Sequence, residues 1–134
     1  LKMLEEIGLS AIDNGFDAIL LINGHGGNMS LLSTAINKIG EEHPETEVGG
    51  LTYFYLAASV IEEVRDSEPG GMMHGGELET SLMLHLRPNH TETGVMGDPT
   101  LASPKKGETI FEHIGAEMES LLKSIHEEVK EEAS

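Results

Sequence analysis

The feature that most constrains this chain is the run Ala18-Ile19-Leu20-Leu21-Ile22, followed at once by Asn23-Gly24-His25-Gly26-Gly27-Asn28. A continuous aliphatic run without alternation is the pattern of a parallel strand covered on both faces, and it predicts a strand from Phe16 to Ile22. The glycine-rich hexapeptide cannot continue that strand and has the backbone freedom for a sharp turn. From about Met29 to Glu42, Leu31, Leu32, Ala35, Ile36 and Ile39 share one helical face, and His43-Pro44 ends the helix. A second strand is predicted over Glu47 to Tyr55, where Val48, Leu51, Tyr53 and Tyr55 suit a sheet. Ahead of all this, Leu1, Leu4, Ile7, Ala11 and Ile12 recur at helical spacing over residues 1–14, with Gly8 interrupting the stripe and Asn14-Gly15 stopping it. Helix, strand, turn, helix, strand is a βαβ unit preceded by a helix. That order implies a right-handed crossover and a parallel sheet with helices on both sides.

Beyond Tyr55 the pattern weakens. Leu56–Val64 reads as a short helix, Glu68–Met73 as a glycine-rich loop, and Glu77–Leu86 as a helix ended by Arg87-Pro88. Residues 88–106 read as a long irregular segment, with turn signals at Gly94, Gly97-Asp98-Pro99 and Ser103-Pro104. A last helix is predicted from about Thr109 to Lys130, with Ile110, Ile114, Met118, Leu121, Leu122, Ile125 and Val129 as its apolar stripe. The expectation is an α/β fold, a layered α/β/α arrangement with a mainly parallel sheet, in one domain over residues 1–134. Two strands are few for an open α/β sheet. Either further strands lie within 88–106 or the domain is incomplete, and a start at Leu1 rather than Met favours the C-terminal portion of a longer domain.

Charge narrows the partners. Eight Lys and Arg stand against 24 Asp and Glu, a net charge of −16. Nucleic-acid binders need a basic face, and anionic membrane surfaces attract basic segments, so neither partner is expected. Five consecutive aliphatic residues are too few to span a bilayer, which takes about 20. The absence of cysteine excludes a disulfide scaffold, a thiol nucleophile and a thiolate metal site. A cytoplasmic location is the expectation.

Two constellations carry chemistry. His25 sits in the turn after the first strand, and ligands of open parallel sheets bind beyond the carboxyl ends of the strands. The alternatives at this turn are a structural role with an exposed histidine, or a phosphate site, although neither GxGxxG nor the P-loop lysine is present. The second is His74-Gly75-Gly76-Glu77-Leu78-Glu79-Thr80-Ser81. A His beside a Glu can serve as metal ligand and general acid/base; the plainer reading is a helix start whose carboxylates complement its dipole. Glu77 and Glu79 are two apart and do not share a face. His85 reads as an ordinary helical histidine, and Asp98 as a turn residue.

Taken in order, NGHGGN after a strand, HGGELETSLMLHLRP and GVMGDPTLASPKKGE resemble the creatininase (creatinine amidohydrolase) family over nearly the whole chain. The resemblance implies a layered α/β/α domain that hydrolyses C–N amide bonds with one or two divalent metals, Zn, Fe or Mn, and often a homo-oligomer. It implies that His25 is a metal ligand, His74 the catalytic histidine and Glu79 an active-site glutamate. Creatininase itself has NGHYEN, whose Glu binds metal, where this chain has Gly27, and an apolar residue where this chain has Glu77. Glu77 is therefore expected to supply the missing metal-binding carboxylate. The same departure points toward a formamide, another small-molecule amide substrate or a peptide rather than creatinine. The family's Glu-x-His pair and Asp have no counterpart in residues 1–24. The rival expectation is a truncated, non-catalytic α/β binding or assembly module.

Overall fold

The computed structural model describes residues 1–88 and 96–132. The described chain divides into two compact units. One comprises Leu1–Tyr55 with the end of the last helix from Glu119, and the other Leu56–Met118.

In the first unit, α1 (Lys2–Asp13) leads to β1 (Ala18–Asn23), a single 3-10 turn at Gly26–Asn28, α2 (Met29–Glu42) and β2 (Glu47–Thr52). The two strands pair in parallel, from Ala18 opposite Glu47 to Asn23 opposite Thr52. This is the expected βαβ unit, and the α/β class stands. Helix α2 buries Leu32, Ala35 and Ile39. Its approach to the sheet depends on Gly50, where a Cβ would lie 2.6 Å from Ile36 Cδ1 and 3.0 Å from the Leu21 carbonyl. Gly8, which interrupted the apolar stripe of α1, has the same explanation: a Cβ there would fall 2.6 Å from Ile39 Cδ1 on α2. The glycine is where two helices meet closely.

Two boundaries and one burial pattern differ from the sequence reading. The second strand ends at Thr52, and Tyr53–Ala57 coils into a 3-10 helix. Its partner β1 ends opposite it at Asn23, so residues beyond Thr52 have no ladder to join. The first strand is also less enclosed than its aliphatic run implies: Ala18–Leu21 are half-buried and Ile22 is 54% exposed. Finally, the last helix, α5 (Pro104–Glu132), begins five residues before Thr109. Ser103-Pro104 is a helix start rather than a turn. Pro is tolerated in a first turn, where its missing N–H costs nothing, and the Ser103 hydroxyl accepts the Lys106 N–H at 3.3 Å as an N-cap.

In the second unit, α3 (Ala58–Val64), α4 (Glu77–Leu86), a 3-10 turn at Pro99–Leu101 and the first half of α5 pack around Ile61, Leu78, Leu82 and Ile110. No strand occurs in residues 96–106; the rest of the segment where hidden strands were considered, 89–95, lies outside the described residues. Helices α4 and α5 touch backbone to backbone. A Cβ on Gly107 would stand 1.9 Å from the Ser81 carbonyl oxygen. The buried Ser81 hydroxyl accepts the Ser103 N–H at 3.1 Å at the same junction. Among the described residues no helix is long and apolar enough to cross a membrane.

Gly107 and Gly115 therefore separate packing from propensity within one helix. Gly115→Ala, with open space around it, should stabilise the chain by about 0.5–1 kcal/mol. Gly107→Ala should instead destabilise it by on the order of 2 kcal/mol or more, because backbone cannot yield as a side chain does. Urea unfolding of both variants checks this; a Gly107→Ala protein as stable as the parent would contradict the helix contact.

Candidate functional site

The turn that carries His25 is built by Asn23. This side chain is buried at the end of β1 and uses all its main polar capacity locally. Its amide nitrogen donates to Thr52 Oγ1 at 2.9 Å, tying the turn to β2, and to the His25 carbonyl at 2.7 Å. Its oxygen accepts the His25 N–H at 3.1 Å. An Asn that closes its own backbone two residues on is an Asx turn, here locked to the neighbouring strand. His25 is exposed and extended (φ −149°, ψ 130°), and its Nδ1 accepts the Gly27 N–H at 3.1 Å, capping the 3-10 turn. A neutral ring that accepts at Nδ1 carries its proton on Nε2, so coordination of a metal by this ring requires that the cap be released. Gly27 has no side chain to intrude: a Cβ would sit 3.0 Å from two atoms of the imidazole ring. The groove of about 390 Å³ beside this turn is lined by Asn23, Gly24 and Asn28 with the apolar Leu4, Ile22 and Leu31.

His74 lies in the second unit, at the surface of a turn made almost wholly of backbone contacts. Gly70 and Gly75 have positive φ, 100° and 61°, which only glycine adopts freely. The Gly71 carbonyl accepts the N–H of Glu77 at 3.1 Å and of Asp98 at 2.9 Å, and the Met73 carbonyl accepts that of Gly76 at 2.7 Å. His74 itself is held by its carbonyl, which accepts the Met96 N–H at 2.7 Å. Gly76 and Gly97 lie against each other so closely that a Cβ on Gly97 would meet Gly76 Cα at 2.6 Å, and one on Gly76 would meet the Gly71 oxygen at 2.1 Å. Asp98 is the turn residue that its sequence context suggested: Oδ1 accepts the Thr100 N–H at 2.9 Å and caps the 3-10 turn.

The two glutamates of the HGGELETS motif part company, as their spacing requires. Glu79, half-buried in the first turn of α4, accepts the Gly75 N–H at 2.6 Å through Oε2, next along the chain from His74. Thr80 reinforces this by donating its hydroxyl to the Gly75 carbonyl at 2.9 Å. Glu77 turns inward and is only 1% exposed. Its carboxylate accepts the N–H of Asp66 at 3.0 Å and of Ser67 at 2.9 Å, and forms an ion pair with the Lys106 ammonium. Lys106 also donates to Asp66 Oδ2 at 2.5 Å and to the Leu101 carbonyl at 2.8 Å, which occupies all three ammonium protons. Burial alone would raise the Glu77 carboxyl pKa, but Lys106 and the two backbone N–H groups outweigh it and hold the value at about 2. Burial likewise pushes Lys106 down, and the Asp66 and Glu77 carboxylates push it further up. A metal at Glu77 would have to displace an ammonium and backbone donors that already saturate its oxygens.

The structure thus gathers His74, Glu77 and Glu79 around one turn and helix start, while His25 belongs to the other unit. Among the described residues no group of three or more His, Cys, Asp or Glu is placed to hold a metal ion. His85 is half-buried with its ring 5.6 Å from Phe111, an ordinary packed histidine; His90 lies outside the described residues. Sequence reasoning missed Lys106. The available signal was a lysine two residues after Ser103-Pro104, a pair that also serves as a helix start, in a chain with three acids for every base.

A family model described as creatinine amidohydrolase (Creatininase) matches residues 1–91. Curated relatives include the mycofactocin precursor peptide peptidase of Mycobacterium tuberculosis, 28% identical over 122 aligned positions, covering 69% of this chain and 43% of the relative. The protein of the same description from Mycolicibacterium smegmatis is 28% identical over 138 aligned positions, covering 81% of this chain and 49% of the relative. The chain spans about half the length of the curated relatives it matches.

The Glu77 geometry predicts a specific acid sensitivity. A carboxyl held at about 2 against an ordinary 4.5 stabilises the fold fully above pH 4.5, and that contribution fades as pH falls from 4.5 toward 2. Its size is on the order of 3 kcal/mol. Denaturant midpoints of the parent and of Glu77→Gln should therefore differ most above pH 5 and converge toward pH 2. A difference that stays constant with pH would assign the acid sensitivity to other groups.

Proposed function

The chain belongs to the creatininase family, and from that premise we propose that the protein containing it hydrolyses a C–N amide bond, with His74 as the group that moves protons. The observation that carries this reading is the His74 turn. An exposed imidazole is mounted on backbone tied through Met96 on one side and through Glu79 and Gly75 on the other. An imidazole gives and takes protons near neutral pH, and acid/base help needs fixed geometry before it needs a tuned pKa. In amide hydrolysis the ring takes a proton from the attacking water. It then delivers that proton to the departing nitrogen, without which the C–N bond does not break cleanly. Glu79 holds the backbone that carries the ring through the Gly75 N–H, one residue along the chain.

Divalent metal is part of the family's chemistry, where it lowers the pKa of water and polarises the carbonyl. His25 is the proposed donor here. The described residues do not by themselves complete such a site: a catalytic metal is typically held by three protein ligands, and no such group forms among them. Glu77, expected from sequence to stand in for the carboxylate missing at Gly27, has its oxygens engaged by Lys106 and two backbone N–H groups. We therefore give it a structural role.

The substrate class follows from Gly27 and from the relatives. A formamide, another small amide or a peptide bond is favoured over creatinine, because creatininase carries Glu where this chain has Gly27, and the curated relatives are described as peptidases. The test is a hydrolysis panel of formamide, short peptides and creatinine with the full-length protein, set against His74→Ala. Turnover of a small amide or a peptide should fall by about 10²–10⁴ in the variant with fold and metal content unchanged. His25→Ala should lose bound metal. Preferential cleavage of creatinine, or normal turnover by His74→Ala, would overturn the assignment; hydrolysis of none of the panel would favour a non-catalytic module.

A further inference from the structure

The segment Gly97–Gly107, set apart by its sequence, has no part in the proton chemistry just described, yet both sides of the His74 turn lead back to one of its side chains. Before the turn, Asp66 and Ser67 give their N–H groups to Glu77, which lies directly after it. Residues 68–76 are thus a closed loop pinned at its neck by one buried carboxylate. Within the loop the Glu68 carbonyl accepts the Gly71 N–H at 2.9 Å, and Gly71 in turn receives Glu77 and Asp98. On the other side, Met96 and Asp98 bond the His74 and Gly71 carbonyls, and Gly97 lies on Gly76. That second wall runs on to Leu101, whose carbonyl accepts from Lys106 at 2.8 Å. Asp66 meets the same ammonium at 2.5 Å.

We propose that Lys106 is a positioning residue for His74, holding both the neck of the turn and its outer wall by one ammonium shared among Glu77, Asp66 and the Leu101 carbonyl. The assignment of function to this geometry rests on the reading of His74 as the proton-transfer group; the geometry itself does not. The neighbouring Lys105 provides the contrast. It is exposed, and its ammonium pairs with Glu108 within its own helix turn. Removing a purely stabilising pair would lower the melting temperature and leave the histidine of the folded protein where it was. Removing a positioning pair would move the histidine.

Removing one partner leaves an unpaired buried charge and risks the fold, whereas removing both charges together is commonly tolerated. The informative variant is therefore Glu77→Gln with Lys106→Met, beside Lys106→Arg, which keeps the charge, and Lys105→Met as control. The first readout is the His74 ring signal in a ¹H–¹⁵N spectrum of the metal-free protein, identified by its loss in His74→Ala. The double variant should shift and broaden that signal, while His126, far along α5, stays unmoved; Lys106→Arg and Lys105→Met should resemble the parent. The second readout is turnover of whichever panel amide the full-length parent cleaves. In the double variant kcat should fall about 10- to 100-fold with KM within about twofold, the pattern of a misplaced catalytic group. A folded double variant with an unmoved His74 signal, or with parental kcat, overturns the proposal. If the parent cleaves no amide, the functional reading fails, and the ring signal alone still decides whether Lys106 positions His74.

Discussion

Burying the Glu77 carboxylate is costly, and much of the second unit converges on it. Withdrawing such an ion from water costs several kcal/mol even after relaxation. The compensation comes from three sources that are distant in sequence: the N–H groups of residues 66 and 67, the ammonium of residue 106 and, through that ammonium, the carbonyl of residue 101. Each is useful only if its own segment is held in place. The charge therefore acts as an organising centre: the start of α4, the start of α5 and the chain leading into the turn must all converge on it.

Around that centre the packing is made of backbone rather than side chains. Gly76, Gly97 and Gly107 each stand where a single added carbon would collide with a carbonyl oxygen. Close approach brings N–H and C=O groups within hydrogen-bonding range, and the turn before α4 uses that range fully. The first unit solves a related problem without charge. A buried amide, Asn23, bonds forward to His25 and sideways to Thr52. The two histidine turns differ accordingly: one is organised by a neutral amide at a strand end, the other by an ion pair between helices.

Local patterns carried much of this architecture. The βαβ order, the limits of α2 and α4, and the turns after β1 and before α4 are legible because periodicity, glycine and proline act over a few residues. What escaped depends on contacts made at a distance. The end of β2 is set by where β1 stops, a fact of register that Tyr53 and Tyr55 cannot announce. Gly8 looked like a flaw in a helix until Ile39 explained it. The spacing of Glu77 and Glu79 correctly separated their faces, but which carboxylate points inward depends on a lysine 29 residues away from Glu77. Ser103-Pro104 did carry a local signal, and it was ambiguous: the same pair serves a turn or an N-terminal cap, and only the helix that follows distinguishes them.

The openness of β1 has a consequence for how this chain behaves in solution. Among the described residues the sheet has two strands, so β1 offers one flank with no strand beside it, and Ile22 at its end is more than half exposed. A strand flank that nothing covers is a template for pairing with other chains. The opposing influence is the charge of −16, which makes copies repel one another. Repulsion of this kind is screened within about 10 Å at 0.1 M salt, whereas strand pairing and apolar burial are not. Raising the ionic strength therefore weakens that repulsion, and the exposed Ile22 at the end of β1 is then opposed by less charge.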